Sequence, residues 1–261
     1  MTIPAEPRRD DETLDAFYHG RIRVLQKRKG YRFSVDAPLL ADFIRTRDDD
    51  EALDLGTGSG IIPLLLSVKP ARRTTALEIQ PGLADLARRN VALNGLGGRI
   101  EVVEADLRTY EPGRLFDLIF SNPPYIRKAS GFLSRSSEKS AAKHELHGDI
   151  LDILKKTADW LAPDGRAAFV YPEARRADFL AAAAESGLSV RRLRFVHPRA
   201  GEPPNLFLIE LGHAPEAGQG TNLRASRGAG EPGPLELMPP LVLFAPGGRY
   251  TPEAEAVFAG P

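Results

Sequence analysis

The segment Asp54-Leu-Gly-Thr-Gly-Ser-Gly60 lies between an apolar run, ALDL (52–55), and a helix-forming run that starts at Ile61. Glycines at the alternate positions 56, 58 and 60 let backbone approach a ligand closely, because no Cβ intervenes. A strand that runs into such a loop and then into a helix is a building unit of an open α/β sheet, with the ligand at the strand's carboxyl end. The spacing excludes two common phosphate loops. The dinucleotide fingerprint needs glycine where Ile61 stands, and no Lys-Ser/Thr pair follows to make a P-loop. An acid just ahead of the glycines, Asp54, suits a ligand with a positively charged amino group better than a pyrophosphate.

The rest of the chain agrees with a sheet of that kind. Apolar strand-like runs at 52–55, 74–79, 100–105, 116–121 and 166–171 alternate with helical stretches at 61–68, 82–93, 146–161 and 174–186. Strands separated by helices imply right-handed crossovers and parallel pairing, with helices on both faces. Two further runs, 188–197 and 205–211, have no helix between them and read as an antiparallel hairpin. The predicted fold is α/β and Rossmann-like: a mostly parallel seven-stranded sheet closed by an antiparallel C-terminal hairpin.

The predicted organisation has four parts. Residues 1–19 form a flexible polar lead, and 20–211 form the main domain, opening with a hairpin (RIRVLQ, KRKG, YRF) and a helix over 34–44 capped by Ser34. Residues 212–234 are a Gly/Pro-rich linker or loop. Residues 235–261 form a strand, a PGGRY turn and a last helix capped by Thr251.

Composition removes several mechanisms. The chain has no Cys among 261 residues, so disulfides, thiolate metal sites and cysteine nucleophiles are excluded. The start, MTIPAEPRRDDET, has no apolar core of the secretory kind, and no run approaches the ~20 apolar residues of a membrane span. Cytoplasmic residence is expected. His144 and His147 have no third ligand at useful spacing and read as a surface pair, so no metal is expected. Trp160 reads as core.

Formal net charge is zero, from 35 basic and 35 acidic residues, but the bases are bunched. One bunch runs from Arg21 to Arg32 and includes Arg23, Lys27, Arg28 and Lys29. A second holds Arg127, Lys128, Arg135, Lys139 and Lys143, and a third Arg191, Arg192, Arg194 and Arg199. Each alone reads as solvated surface. Three of them flanking one candidate site predict contact with a polyanion.

The glycine segment resembles motif I of the class I S-adenosylmethionine methyltransferases. Under that resemblance Asp54, Gly56, Thr57, Gly58 and Gly60 hold the cofactor. Glu78 at the end of the second strand accepts the ribose hydroxyls, and Asp106 at the end of the third accepts the adenine amino group. Ile79, Leu107 and Asn122 complete the candidate contacts.

The fourth strand ends in Asn122-Pro-Pro-Tyr125. An exocyclic amine on an aromatic ring is a poor nucleophile, because its lone pair is delocalised into the ring. Two acceptors on its two N–H groups, the Asn122 side chain and the Pro123 carbonyl, would favour pyramidalisation and return density to nitrogen. Pro124 stiffens the turn, and Tyr125 offers a face on which a flipped base stacks, worth about 1–3 kcal/mol. The motif resembles the [N/D/S]-P-P-[Y/F/W] element of amino-methyltransferases, whose acceptors include adenine N6, cytosine N4, guanine N2 and the glutamine side-chain amide.

Longer stretches narrow the choice. GYRFSVDAPLLADF (30–43), SNPPYIRKASG (121–131), EKSAAKHEL (138–146), HPRAGEPPNLFLIE (197–210) and the tail LVLFAPGGRYTPEAEAVF are together similar to the bacterial tRNA1(Val) (adenine-N6)-methyltransferases. That resemblance implies methylation of an adenine 3′ of the anticodon. It also implies a tRNA partner; from the basic clusters, Arg23, Lys27, Arg28, Lys29, Arg32, Arg127 and Lys128 are expected to meet it, and a monomer is expected. Release-factor glutamine N5-methylation, ribosomal guanine-N2 methylation and an RNA-binding pseudo-methyltransferase stand as alternatives.

Overall fold

The computed structural model of the chain describes residues 8–29, 34–123, 150–215 and 235–261. In chain order the strands are β1 (Glu12–Phe17), β2 (Ile22–Lys27), β3 (Glu51–Leu55), β4 (Arg73–Glu78), β5 (Ile100–Glu104) and β6 (Phe116–Ser121). They continue with β7 (Leu161–Pro172), β8 (Leu188–Arg199), β9 (Leu206–His213), β10 (Glu236–Leu237) and β11 (Leu241–Phe244). The helices are α1 (Asp36–Phe43), α2 (Ile61–Leu66), α3 (Pro81–Leu93), α4 (Ile150–Trp160), α5 (Arg176–Glu185) and α6 (Pro252–Ala259).

Seven strands stand in the order β8-β9-β7-β6-β3-β4-β5. The five from β7 to β5 run parallel, and β9 is antiparallel to both β7 and β8. This is the predicted sheet, with one addition. β10 and β11 both pair in parallel with β8, so the sheet has nine strands rather than seven.

Strand alternation divides the core. Leu118 and Phe120 of β6, Val170 of β7 and Leu208 of β9 face α1 and α2. Ile119, Phe169, Tyr171, Phe207 and Ile209 face α4 and α5, with Trp160 and Phe179 packed among them. Apolar side chains at every position of a strand are what a sheet covered on both faces requires.

Several expectations need correction. The N-terminal hairpin uses β1 and β2, so residues 12–17, expected in the flexible lead, form its first strand. The turn is Tyr18-His19-Gly20, with φ of 52°, 55° and 85°, and Lys27 closes β2 instead of opening the predicted KRKG turn. Ser34 precedes the α1 N-cap, Val35, and accepts the Asp36 N–H only at 3.4 Å. The polar run expected over 212–234 starts later, because β9 continues to His213; most of it lies outside the described residues. Thr251 caps α6 as expected, its Oγ1 accepting the Ala254 N–H.

Arg192 and Arg194, grouped above with a solvated basic cluster, are buried on β8. Arg192 lies 4.0 Å over the Phe43 ring and donates to Glu210 (2.6 Å) and to the Phe43 carbonyl (2.8 Å). Arg194 donates to the Pro239 carbonyl (3.1 Å) and pairs with Glu253 of α6. Arg194 fastens the C-terminal segment to the sheet edge, and Arg192 ties β8 to α1 and β9. They do not form a surface for a polyanion.

Candidate functional site

β3 lies between β4 and β6, and the chain leaves it first toward β5 and later toward β7. That reversal opens a crevice at the carboxyl ends of the strands. Because β3 to β6 are parallel, the residues that end or follow each strand gather at that crevice. They are the loop at 56–60, Glu78, Asp106 and Asn122.

The loop is held from below. Gly56 and Thr57 both donate to the Leu77 carbonyl at 2.9 Å, and the Gly58 N–H donates to Glu78 Oε2 at 2.8 Å. Gly56, Gly58 and Gly60 have φ of 74°, 59° and 81°, the left-handed region that side chains with a Cβ seldom enter. A Cβ on Gly56 would meet nothing within 4 Å, so the space above it is open, whereas one on Gly60 would press on Ala87 Cβ at 3.3 Å.

Asp54 is the most telling group. It is 1% exposed, yet neither carboxylate oxygen has a hydrogen-bond partner among the described residues. Burial pushes its carboxyl up to about 7; the Thr57 hydroxyl opposes this without closing a bond of normal geometry, and the Glu78 charge adds to it. The buried hydroxyls of Thr57 and Ser59 also lack partners. A buried acid and two hydroxyls left unsatisfied around open glycine backbone fit a ligand that brings a cationic amino group and further polar atoms.

Glu78 is buried, which pushes its carboxyl up, and accepts backbone N–H groups from Gly58 and Gln80 (2.9 Å). With the Ile79 N–H also turned to it, the carboxylate still keeps acceptor capacity for a hydroxyl donor. Asp106 is in a different state. The Arg108 guanidinium covers it two-pronged, and the Arg108 N–H donates to its Oδ1 at 2.9 Å. A ligand amino group reaching Asp106 must share it with Arg108. Ile79 and Leu107 are half-buried beside these acids.

Asn122 and the buried Pro123 follow β6; Pro124, Tyr125, Arg127 and Lys128 lie outside the described residues, as does Arg32. Ser121 Oγ donates to the Leu55 carbonyl at 2.7 Å, binding the end of β6 to the end of β3 beside Gly56. Ser121 was not among the expected site residues; its signal was a hydroxyl directly ahead of the sequence Asn-Pro-Pro. Ser59 and Asn90 were not among them either. Among the hairpin bases, Lys27 pairs with Asp11 (2.9 Å) and Glu12 (3.3 Å), and Arg28 reaches the Asp10 carbonyl (3.2 Å). Arg23 donates to the Leu93 carbonyl (3.2 Å), and Lys29 is exposed.

The family model described as "Methyltransferase small domain" matches residues 32–177, more than half of the chain. A tRNA1(Val) (adenine(37)-N6)-methyltransferase of Parabacteroides distasonis is 30% identical over 203 residues, covering 77% of this chain and 85% of the relative. The chain belongs to the tRNA1(Val) (adenine-N6)-methyltransferase family. A second family member, from Aeromonas hydrophila, is 32% identical over 198 residues, covering 75% of this chain and 83% of its own.

Solved structures agree at the level of fold. A predicted O-methyltransferase from Agrobacterium tumefaciens aligns with a TM-score of 0.59 at 21% identity, covering 85% of this chain and 94% of that one. The M. jannaschii tRNA m1G37 methyltransferase aligns at 0.57 and 15% identity, over 79% of this chain and 58% of that one. The family's cofactor is S-adenosylmethionine, and the acid at the end of β3 and the hydroxyls of the loop, without partners among the described residues, fit it. Among the described residues no helix is long and apolar enough to cross a membrane, and no group of three or more acids and histidines is placed to hold a metal.

Proposed function

We infer that this chain transfers the methyl group of S-adenosylmethionine to N6 of an adenine in tRNA, the adenine 3′ of the anticodon in valine tRNA. The observation that carries the reading is the join between the two half-sites. Ser121 ties the end of β6, directly ahead of Asn122, to the strand end that bears the glycine loop, and on that strand end Asp54 is a buried carboxylate without a partner among the described residues. Relatives that share most of the chain's length carry that activity in their names.

In this reading Asp54 takes the cofactor's ammonium group, with Gly56, Thr57, Gly58 and Gly60 as the cradle. Glu78 accepts the ribose hydroxyls, Asp106 the adenine amino group, and Ile79 and Leu107 flank the ring. The bound cofactor supplies an electrophilic methyl group on a sulfonium. The Asn122 side-chain oxygen accepts a hydrogen bond from one N6–H of the target base and the Pro123 carbonyl from the other, which concentrates the lone pair on nitrogen along the line of attack. Pro124 and Tyr125 complete the turn and the stacking face. The methylated nitrogen gives its extra proton to water, so no dedicated base is required. Arg23, Arg28 and Lys29, with Arg32, Arg127 and Lys128, steer the RNA, and a tRNA substrate places the work in the cytoplasm.

The test uses purified protein and labelled cofactor with tRNA transcripts in one reaction and release factor in another, followed by nucleoside and peptide mass spectrometry. N6-methyladenosine in the anticodon loop is expected. Methylated glutamine in the release factor without any RNA product overturns the reading.

A further inference from the structure

Asn90 lies within α3 with no exposed surface, between the glycine loop and the N-terminal hairpin. Its amide is fully engaged as a donor: Nδ2 gives one proton to the Leu25 carbonyl (3.0 Å) and one to the Ser59 carbonyl (2.9 Å). Its Oδ1 accepts the Leu25 N–H at 2.7 Å. One helical turn on, Asn94 treats Arg23 in the same way, accepting its N–H at 2.9 Å and donating to its carbonyl at 2.7 Å.

Four residues of helix rise about 6 Å and two residues of strand about 6.7 Å. The two amides therefore stand in for a neighbouring strand along the edge of β2. They differ in the remaining proton. Asn94 returns it to its own helix, at the Asn90 carbonyl (2.8 Å), whereas Asn90 sends it to the cofactor loop.

Ser59 sits between two firmly registered loop residues, Gly58 on Glu78 and Gly60 against Ala87 of the same α3. The hairpin is a separate two-stranded sheet, and more of its polar ties end on α3: Glu12 with Arg89, and Arg9 with Asp85. A settled loop thus fixes α3, and α3 fixes the strand that bears Arg23 and leads into Arg28 and Lys29.

We propose that Asn90 is a positioning residue that couples the cofactor loop to the basic hairpin, so that cofactor occupancy and RNA binding strengthen one another. The RNA half rests on the function inferred above. By linkage the factor is the same whichever ligand binds first.

The experiment measures tRNA dissociation constants with and without saturating S-adenosylhomocysteine for wild type, Asn90→Asp and Asn94→Asp. Wild type should tighten at least about fivefold. Asn90→Asp keeps an acceptor for the Leu25 N–H but has no proton for the Ser59 or Leu25 carbonyl, and its factor should fall to about one. Asn94→Asp should keep the wild-type factor. A purely structural role for Asn90 predicts lowered melting temperatures for both variants with the factor untouched, and that result overturns the proposal, as does a wild-type factor of one.

Should Asn90→Asp fail to fold, amide exchange of the wild type decides. S-adenosylhomocysteine alone should slow exchange at Arg23 and Leu25, and unchanged rates overturn the coupling. That readout contains no RNA, so slowed exchange together with undetectable tRNA binding supports the coupling and counts only against the substrate.

Discussion

Glu12 and Arg89 meet as a two-pronged ion pair, 2.7 Å at each contact, where Glu12 has no exposed surface. The pair pins the hairpin to α3 across 77 residues of sequence. Arg89→Met leaves a buried carboxylate short of its main partner and should cost about 3–5 kcal/mol in urea unfolding at neutral pH. The Arg89 hydrogen bonds hold the Glu12 carboxyl at about 2, below its ordinary 4.5, against the opposing effect of burial. Stability from that depression is fully present above 4.5 and is lost as pH falls toward 2. The gap between wild type and variant should therefore narrow over that window, by on the order of 2–3 kcal/mol. A gap that stays constant with pH would contradict this.

Asp54 should behave with the opposite sign. Its carboxyl is raised to about 7 in the fold, so the stability it contributes is present at low pH and lost as pH rises through 7. The stability of Asp54→Asn relative to wild type, both ligand-free, should be greater at pH 8 than at pH 5, by on the order of 2–3 kcal/mol. Wild-type affinity for S-adenosylhomocysteine should weaken about tenfold per unit below pH 7, because the ammonium needs the ionised acid. Calorimetry in buffers of different ionisation heat would show the released proton.

Asn122→Ala should lower turnover by about 10²–10³ while S-adenosylhomocysteine affinity stays within about twofold, as expected of a group that acts on the transition state. Parallel losses in both quantities would make the residue part of the cofactor pocket instead.

The bases of the hairpin and of β8 should separate under salt. Replacing Arg23, Arg28 and Lys29 by Ala should flatten the log–log salt dependence of tRNA binding by about one to two, given roughly 0.7–0.9 per phosphate contact. Arg192→Met should leave that slope alone and lower the melting temperature, because Glu210 and the Phe43 carbonyl lose a buried donor. Filter binding and calorimetry read the two effects independently.

The central sheet was legible because each strand pairs with neighbours through apolar side chains that its own sequence displays, from ALDL to NLFLIEL. The position of the crevice residues was legible for the same local reason: an acid, three glycines and an Asn-Pro pair each stand at a strand end. What escaped depends on partners far along the chain. ETLDAF reads as polar lead until Arg89 neutralises Glu12, and Arg192 and Arg194 read as surface until Glu210 and Glu253 reach them. A buried ion pair shows nothing in either segment alone. Asn90 was silent for a related reason, since a helical asparagine announces no bond to a strand it meets only in the folded state.

The strand that finishes the sheet is broken. β10 pairs with Arg192 and Leu193, β11 with positions from Val196 to Arg199, and Met238-Pro239-Pro240 separates them. Neither proline has an N–H to offer a further strand. Without residues 235–244, β8 would present twelve residues of backbone as a template for another chain. With them, the outermost edge is two short pieces around a gap that cannot donate, a poor substrate for edge-to-edge growth. A chain shortened before residue 235 should accordingly precipitate or form strand-paired aggregates at concentrations where the whole chain stays dispersed.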